Sequence, residues 1–128
     1  MSEPKQLGDL QYAIMRVLWT EGECSAAEVH KALEEERGLA PTTIATMLQK
    51  MEKKGAVAFR REGRRFLYRP TVSEGEVRSS MVQELTHRLF DGDAAALVSH
   101  LIAEHEIDAS ELAQLQERIA QRQEEETH

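Results

Sequence analysis

In "APTTIATMLQKMEKKGAVAFRREGRRFLYRP", residues 40–70, the hydrophobic period changes at a single glycine. Before Gly55, the residues Ile44, Met47, Leu48 and Met51 recur three and four apart, the spacing of one stripe on an α-helix. After it, small or aromatic apolar residues alternate with arginines, the period of two that belongs to a strand. One element cannot satisfy both periods, so a helix must stop at Gly55 and an extended ribbon must start. Pro41 suits the first turn of that helix, where its missing N–H is not needed, and Gly55 suits the end. The runs 56–61 and 65–69, joined at Glu62–Gly63, predict a β-hairpin that Pro70 terminates.

Two more helices precede this one. In "LGDLQYAIMRVLWTEG" the residues Leu7, Leu10, Ile14, Val17 and Leu18 predict a helix over 7–20, with Asp9 near its positive dipole end and Gly22 beyond its far end. In "SAAEVHKALEEERG", Ser25 and Glu28 form a capping box, Val29 and Leu33 form the buried side, and Gly38 stops a helix over 26–37. Gly38-Leu39-Ala40 is then a short glycine-containing turn into the third helix. Three such helices followed by a two-stranded ribbon outline a winged helix-turn-helix. Downstream, Ser73 and Glu76 cap a helix over 74–90, Asp91-Gly92-Asp93 breaks it, an apolar helix covers 94–105, and Asp108 with Glu111 caps a last one. The expected fold is mainly α with a small β-wing: a DNA-binding winged helix over 1–71 and a helical dimerisation domain over 72–128. The downstream helices are too few to enclose a core alone. A second copy of the chain is the economical cover for their apolar residues Val77, Met81, Leu85, Leu89, Leu97, Leu101, Leu112, Leu115 and Ile119.

Charge divides the chain in the same place. Residues 1–70 carry 12 Lys and Arg against 10 Asp and Glu, a net of +2, whereas residues 71–128 carry 4 against 13, a net of −9. The −7 of the whole therefore hides a local excess: between 41 and 70 stand eight basic residues against Glu52 and Glu62. Binding to a polyanion depends on the local field, not on the total. On the third helix, Thr42, Thr43, Thr46, Gln49, Lys50 and Lys53 lie away from the apolar stripe. Their hydroxyls, amide and ammonium groups suit base edges and phosphates. On the ribbon, Arg60, Arg61, Arg64 and Arg65 crowd one turn, with only Glu62 nearby in sequence to neutralise them. Such a tip suits a sugar-phosphate backbone or a minor groove.

Enzymatic chemistry has no comparable support. His30, His87, His100, His105 and His128 are scattered, Cys24 has no second cysteine, and the chain has neither a glycine-rich phosphate loop nor a Ser-His-Asp pattern. No catalytic residue, metal or cofactor is expected. The five-residue separation of His100 and His105 does not stack two imidazoles on one helical face. The opening "MSEPKQLGDLQ" lacks a signal-peptide pattern, no apolar run approaches bilayer length, and a lone cysteine fits a reducing compartment, so a cytoplasmic protein without membrane contact is expected.

The segments "LGDLQYAIMRVLW", "SAAEVHKAL", the 40–70 stretch and "HLIAEHEIDASELAQLQERI" together resemble the BlaI/MecI penicillinase-repressor family, which includes the CopY repressors. The resemblance spans nearly the whole chain. It implies a homodimeric winged-helix repressor whose amino-terminal domain sits on operator DNA while the carboxy-terminal helices of two subunits swap around each other. Thr42, Thr43 and Thr46 fall on its base-reading and phosphate-contacting positions, and Arg64 or Arg65 on its wing. Four departures stand out. Gly8 replaces the usual first-cap Thr, and Pro41 replaces an aromatic before the Thr pair. His100–Leu101 stands where the antibiotic-responsive members have the Asn–Phe bond whose cleavage a membrane sensor-protease signals. The tail "AQRQEEETH" also lacks the cysteines of the copper-responsive members. The function expected is a repressor that occludes a pseudo-palindromic operator until an unidentified signal, with proteolysis in the dimerisation helices as one route, releases it. A winged-helix protein-interaction module and a regulator with a metal or small ligand between the carboxy-terminal helices are the alternatives.

Overall fold

The computed structural model describes residues 5–127; His128, one of the five histidines, lies outside them. Helix α1 (Asp9–Glu21) is followed by a two-residue strand β1 (Cys24–Ser25), α2 (Ala26–Arg37), α3 (Pro41–Lys54), β2 (Val57–Glu62), β3 (Arg65–Pro70), α4 (Glu74–Phe90), α5 (Ala94–Ala103) and α6 (Ala109–Glu126). The strands form one antiparallel sheet in the order β1-β3-β2.

The caps explain where the helices begin. Ser25 Oγ accepts the Glu28 amide at 3.2 Å while the Ser25 amide donates to Glu28 Oε1 at 2.9 Å. Two donors that the first helical turn leaves unpaired are thereby satisfied. The same exchange joins Ser73 with Glu76 and Asp108 with Glu111. Gly8 has no side chain to offer α1, and the junction keeps only half of the motif, the Gly8 amide donating to Gln11 Oε1 at 3.2 Å. At the other end of α3, Gly55 takes φ +91°, a conformation that costs any residue with a Cβ.

The chain divides into two compact units, Met1–Glu84 and Leu85–His128. In the first, Ile14, Met15 and Leu18 of α1, Val29 and Leu33 of α2, and Ile44, Leu48 and Met51 of α3 meet Ala56, Val57 and Tyr68 of the sheet in one core. Val77 of α4 is fully buried in that same core and Met81 packs against it. The sequence reading draws a boundary at 71/72 and assigns both residues to dimerisation. In the folded chain both are occupied within the first unit, and the division falls inside α4, because the first half of that helix supplies one wall of the winged helix. The amino-terminal segment fastens this wall: Gln6 Nε2 donates to Ser80, Lys54 Nζ donates to the Gln6 carbonyl, and Trp19 Nε1 donates to the Val72 carbonyl at 2.9 Å. Burial lowers the pKa of Lys54.

The second unit contrasts with this. No side chain of α5 or α6 is buried. Leu89 and Ile119 remain 61% and 57% exposed. No helix of the described residues is long and apolar enough to cross a membrane.

Candidate nucleic-acid interface

Helix α3 is held by its stripe, and the stripe decides what is left outward. At 3.6 residues per turn, Ile44, Leu48 and Met51 fall on one side, and Thr42, Thr43, Thr46, Gln49, Lys50 and Lys53 share an arc of about 120° on the opposite side. All six are exposed, and neither lysine has a carboxylate partner among the described residues. The turn before α3 is pinned by His30 of α2, whose Nε2–H donates to the Leu39 carbonyl at 2.8 Å. Pro41 at the first position and Ala40 before it contribute no side-chain cap. The start of α3 therefore leaves Thr42 and Thr43 unobstructed, and the Thr43 amide bonds only the Ala40 carbonyl at 3.1 Å.

The wing follows directly. Register pairs Glu62 with Arg65, which makes Gly63–Arg64 the two-residue loop, one step beyond the turn expected at Glu62–Gly63. Gly63 has φ +65° and Arg64 is not among the positive-φ residues, the sign pattern of a type II′ hairpin turn. Arg64 thus occupies the apex. It is exposed and has no ion pair among the described residues.

The other three arginines of the wing are engaged to different degrees. Arg60 Nε donates to both Glu23 oxygens at 3.0 and 2.9 Å, and its Nη2 donates to Glu23 at 2.7 Å and to Glu62 at 2.9 Å. The hydrogen bonds to Arg60 lower the pKa of Glu23, and those to Glu23 and Glu62 raise that of Arg60. Arg60 is a brace between the wing and the β1 approach, not an unpaired cation. Arg65 lies at 3.7 Å from Glu28 and 3.9 Å from Glu62, distances that leave its charge only loosely neutralised. Arg61 stands over the Phe66 ring, 5.7 Å from its centroid. Sequence reasoning missed Glu23 and Glu28 as partners because the contact depends on β1. Its pairs Cys24↔Tyr68 and Ser25↔Leu67 bring residues 23–28 beside the wing. A two-residue strand is too short to show a period; the Ser25 cap, extended and flanked by a cysteine, was its only trace.

The residues expected at a subunit interface separate as well. Val77 and Met81 belong to the winged-helix core, Leu97, Leu101 and Leu112 are half-buried, and Leu85, Leu89, Leu115 and Ile119 are exposed. Val98 and Ile102, which sequence reading did not single out, are exposed on α5. His100–Leu101 lies inside α5, with the His100 ring 5.8 Å from Phe90. The described residues hold no cluster of three potential metal-ligating side chains.

Known proteins share this chain's sequence and the fold of its first unit. The penicillinase repressor family model matches residues 7–121. The chain belongs to the penicillinase repressor family. It is 28% identical to the penicillinase repressor of Bacillus licheniformis over 115 residues, 90% of each chain. To the transcriptional regulator BlaI of Mycobacterium tuberculosis it is 33% identical over 123 residues, 94% of this chain and 88% of that one. Among solved structures, the DNA binding domain of the repressor BlaI superposes with a TM-score of 0.53 at 36% identity, covering 59% of this chain and 93% of that domain. The Bacillus licheniformis BlaI monomeric form in complex with the blaP half-operator gives 0.50 at the same identity and coverage. The penicillinase repressor fold thus extends to the winged helix of this chain, whose sheet and helices carry the residues described above.

Proposed function

We propose that this chain is a transcriptional repressor that binds operator DNA as a homodimer and acts by occlusion. The observation that carries the reading is the outward arc of α3, six polar side chains with two unpaired lysines, continuous in sequence with a wing whose apex is Arg64. The relatives that share this fold are repressors, and one of them is a BlaI monomer held on a half-operator. Thr42, Thr43, Thr46 and Gln49 read base edges in the major groove, Lys50 and Lys53 meet phosphates, and Arg61, Arg64 and Arg65 hold the flanking backbone. Arg60 contributes through its brace.

Exposed Leu85, Leu89, Leu115 and Ile119, with no buried side chain in α5 or α6, support the second unit as the subunit interface. Two-fold symmetry then places equivalent half-sites about 10 to 10.5 base pairs apart, or a small multiple of that. If a sensor protease relieves repression at His100–Leu101, α5 must first open, since that peptide bond lies within a hydrogen-bonded helix.

Selection of bound genomic fragments by the purified protein, followed by footprinting, tests this directly. A symmetric protected pair of half-sites is expected. A footprint with one unsymmetrical half-site removes the dimer geometry, and recovery of no specific fragment at moderate salt removes operator binding.

A further inference from the structure

Alternation along β2 and β3 gives the wing two faces of unlike chemistry. Register pairs Arg60 with Leu67 and Glu62 with Arg65, so these four side chains share one face. There the arginines find carboxylates: Arg60 is bound by Glu23 and Glu62, and Arg65 approaches Glu28 and Glu62. Phe59 pairs with Tyr68 and Arg61 with Phe66, so these four share the opposite face. No acidic residue of either strand lies on it.

Rings run along that second face from core to tip. Tyr68 is buried at the base, with its pKa raised by that burial and by the Glu52 carboxylate of α3. Phe59 lies 5.9 Å from Tyr68, and Phe66 meets Phe59 edge to face at 5.0 Å. Phe59 and Phe66 stay 46% and 44% exposed. Single exposed apolar residues are ordinary on any protein. Two touching phenylalanines on a six-residue strand pair, with Arg61 over one ring and Arg64 at the adjoining apex, form a surface that is apolar and cationic at once.

Chemistry narrows the occupant. A purely apolar partner would have to desolvate Arg61. An acidic peptide would engage the cations but leave the rings in water. Duplex DNA offers both halves in alternation, the C–H faces of deoxyribose and the phosphates between them. We propose that the Phe59–Phe66 face of the wing packs on deoxyribose rings of the minor groove flanking the helix-contacted bases, with Arg61 and Arg64 on the adjoining phosphates. This rests on the operator-binding reading above and adds a component of different character. Arginine contacts release counterions and weaken with salt. Ring-on-sugar contact is indifferent both to salt and to base sequence.

The experiment measures affinity over a potassium chloride series on a duplex recovered by genomic selection and on an unrelated duplex, for the wild type, Phe66→Ser and Arg64→Ala. Phe66→Ser is expected to lower affinity roughly fivefold on both duplexes at every salt concentration, leaving a parallel line. Arg64→Ala is expected to reduce the salt slope by about 1. An unchanged affinity for Phe66→Ser overturns the proposal while leaving operator binding intact. Failure of the wild type to bind either duplex overturns both. Should Phe66→Ser not fold, p-benzoylphenylalanine at position 66 keeps the ring in place. Irradiation must then join it to a DNA strand, and an adduct to a second copy of the chain, or none to DNA, refutes the sugar contact.

Discussion

In the first unit, three helices, the sheet and the start of α4 remove Ile14, Leu48, Met51 and Val77 from water entirely; in the second, α5 and α6 bury no side chain at all. The two units differ in charge as well: residues 1–84 balance 13 Lys and Arg against 13 Asp and Glu, whereas residues 85–128 carry 3 against 10, a net of −7. A domain that completes its own core is free to spend its surface on a ligand. A helical segment that leaves Leu89 and Ile119 in water offers apolar surface to the second subunit proposed above, and its negative charge disfavours contact with phosphates.

This contrast is open to attack at several points. Leu48→Ala should cost the first unit about 2–5 kcal/mol in equilibrium unfolding, the range for truncating a fully buried leucine; a much smaller loss would mean that the core collapses around the gap. Ile119→Asp should weaken subunit association tenfold or more, about 1.4 kcal/mol, while the far-ultraviolet circular dichroism of the winged helix is unchanged. Sedimentation equilibrium reads the first, and an undiminished dimer would detach α6 from the interface. Ser25→Ala removes one side of the cap that starts α2 and should cost about 1 kcal/mol, seen as a lower melting temperature.

Acid should produce the smallest change, confined to the first unit. Glu23 has its carboxyl held below the ordinary 4.5 by hydrogen bonds from Arg60, and Glu28 by the Ser25 amide and hydroxyl. A depressed carboxylate contributes stability that is fully present above the ordinary value and disappears as pH falls through the folded one. The wing brace and the α2 cap should therefore loosen together below about pH 4.5. Glu23→Gln should flatten that part of the pH profile; a profile identical to the wild type would remove the brace from the stability of the domain.

Much of this was legible in the sequence because local chemistry agreed with the final packing. Ser25 with Glu28, Ser73 with Glu76 and Asp108 with Glu111 mark helix starts by hydrogen bonds that close within four residues, and Gly55 marks the place where the period changes. The outward arc of α3 was legible for the same reason: the stripe that fixes the buried side fixes its opposite. What escaped depends on contacts distant in sequence. Strand β1 exists only because β3 lies beside it, so neither the Glu23 brace nor the approach of Arg65 to Glu28 has a local signal. The stripe of Val77 and Met81 reads equally as facing a second subunit, because a stripe reveals that a helix packs and not what it packs on. The hairpin turn falls one residue beyond the expected Glu62–Gly63, since glycine can serve either loop position and only the Glu62↔Arg65 pairing decides between them.

That one-residue precision constrains how the wing can vary over evolutionary time. Side chains on a ribbon have a period of two, so a single insertion within β3 would exchange its faces beyond the inserted residue. Inserted between Phe66 and Leu67, it would turn Tyr68 out of the core and set Leu67 in its place. Substitution at the tip is cheap and length change by one is not. Wings of this kind should therefore drift in residue identity, or lengthen by pairs, and seldom by single steps.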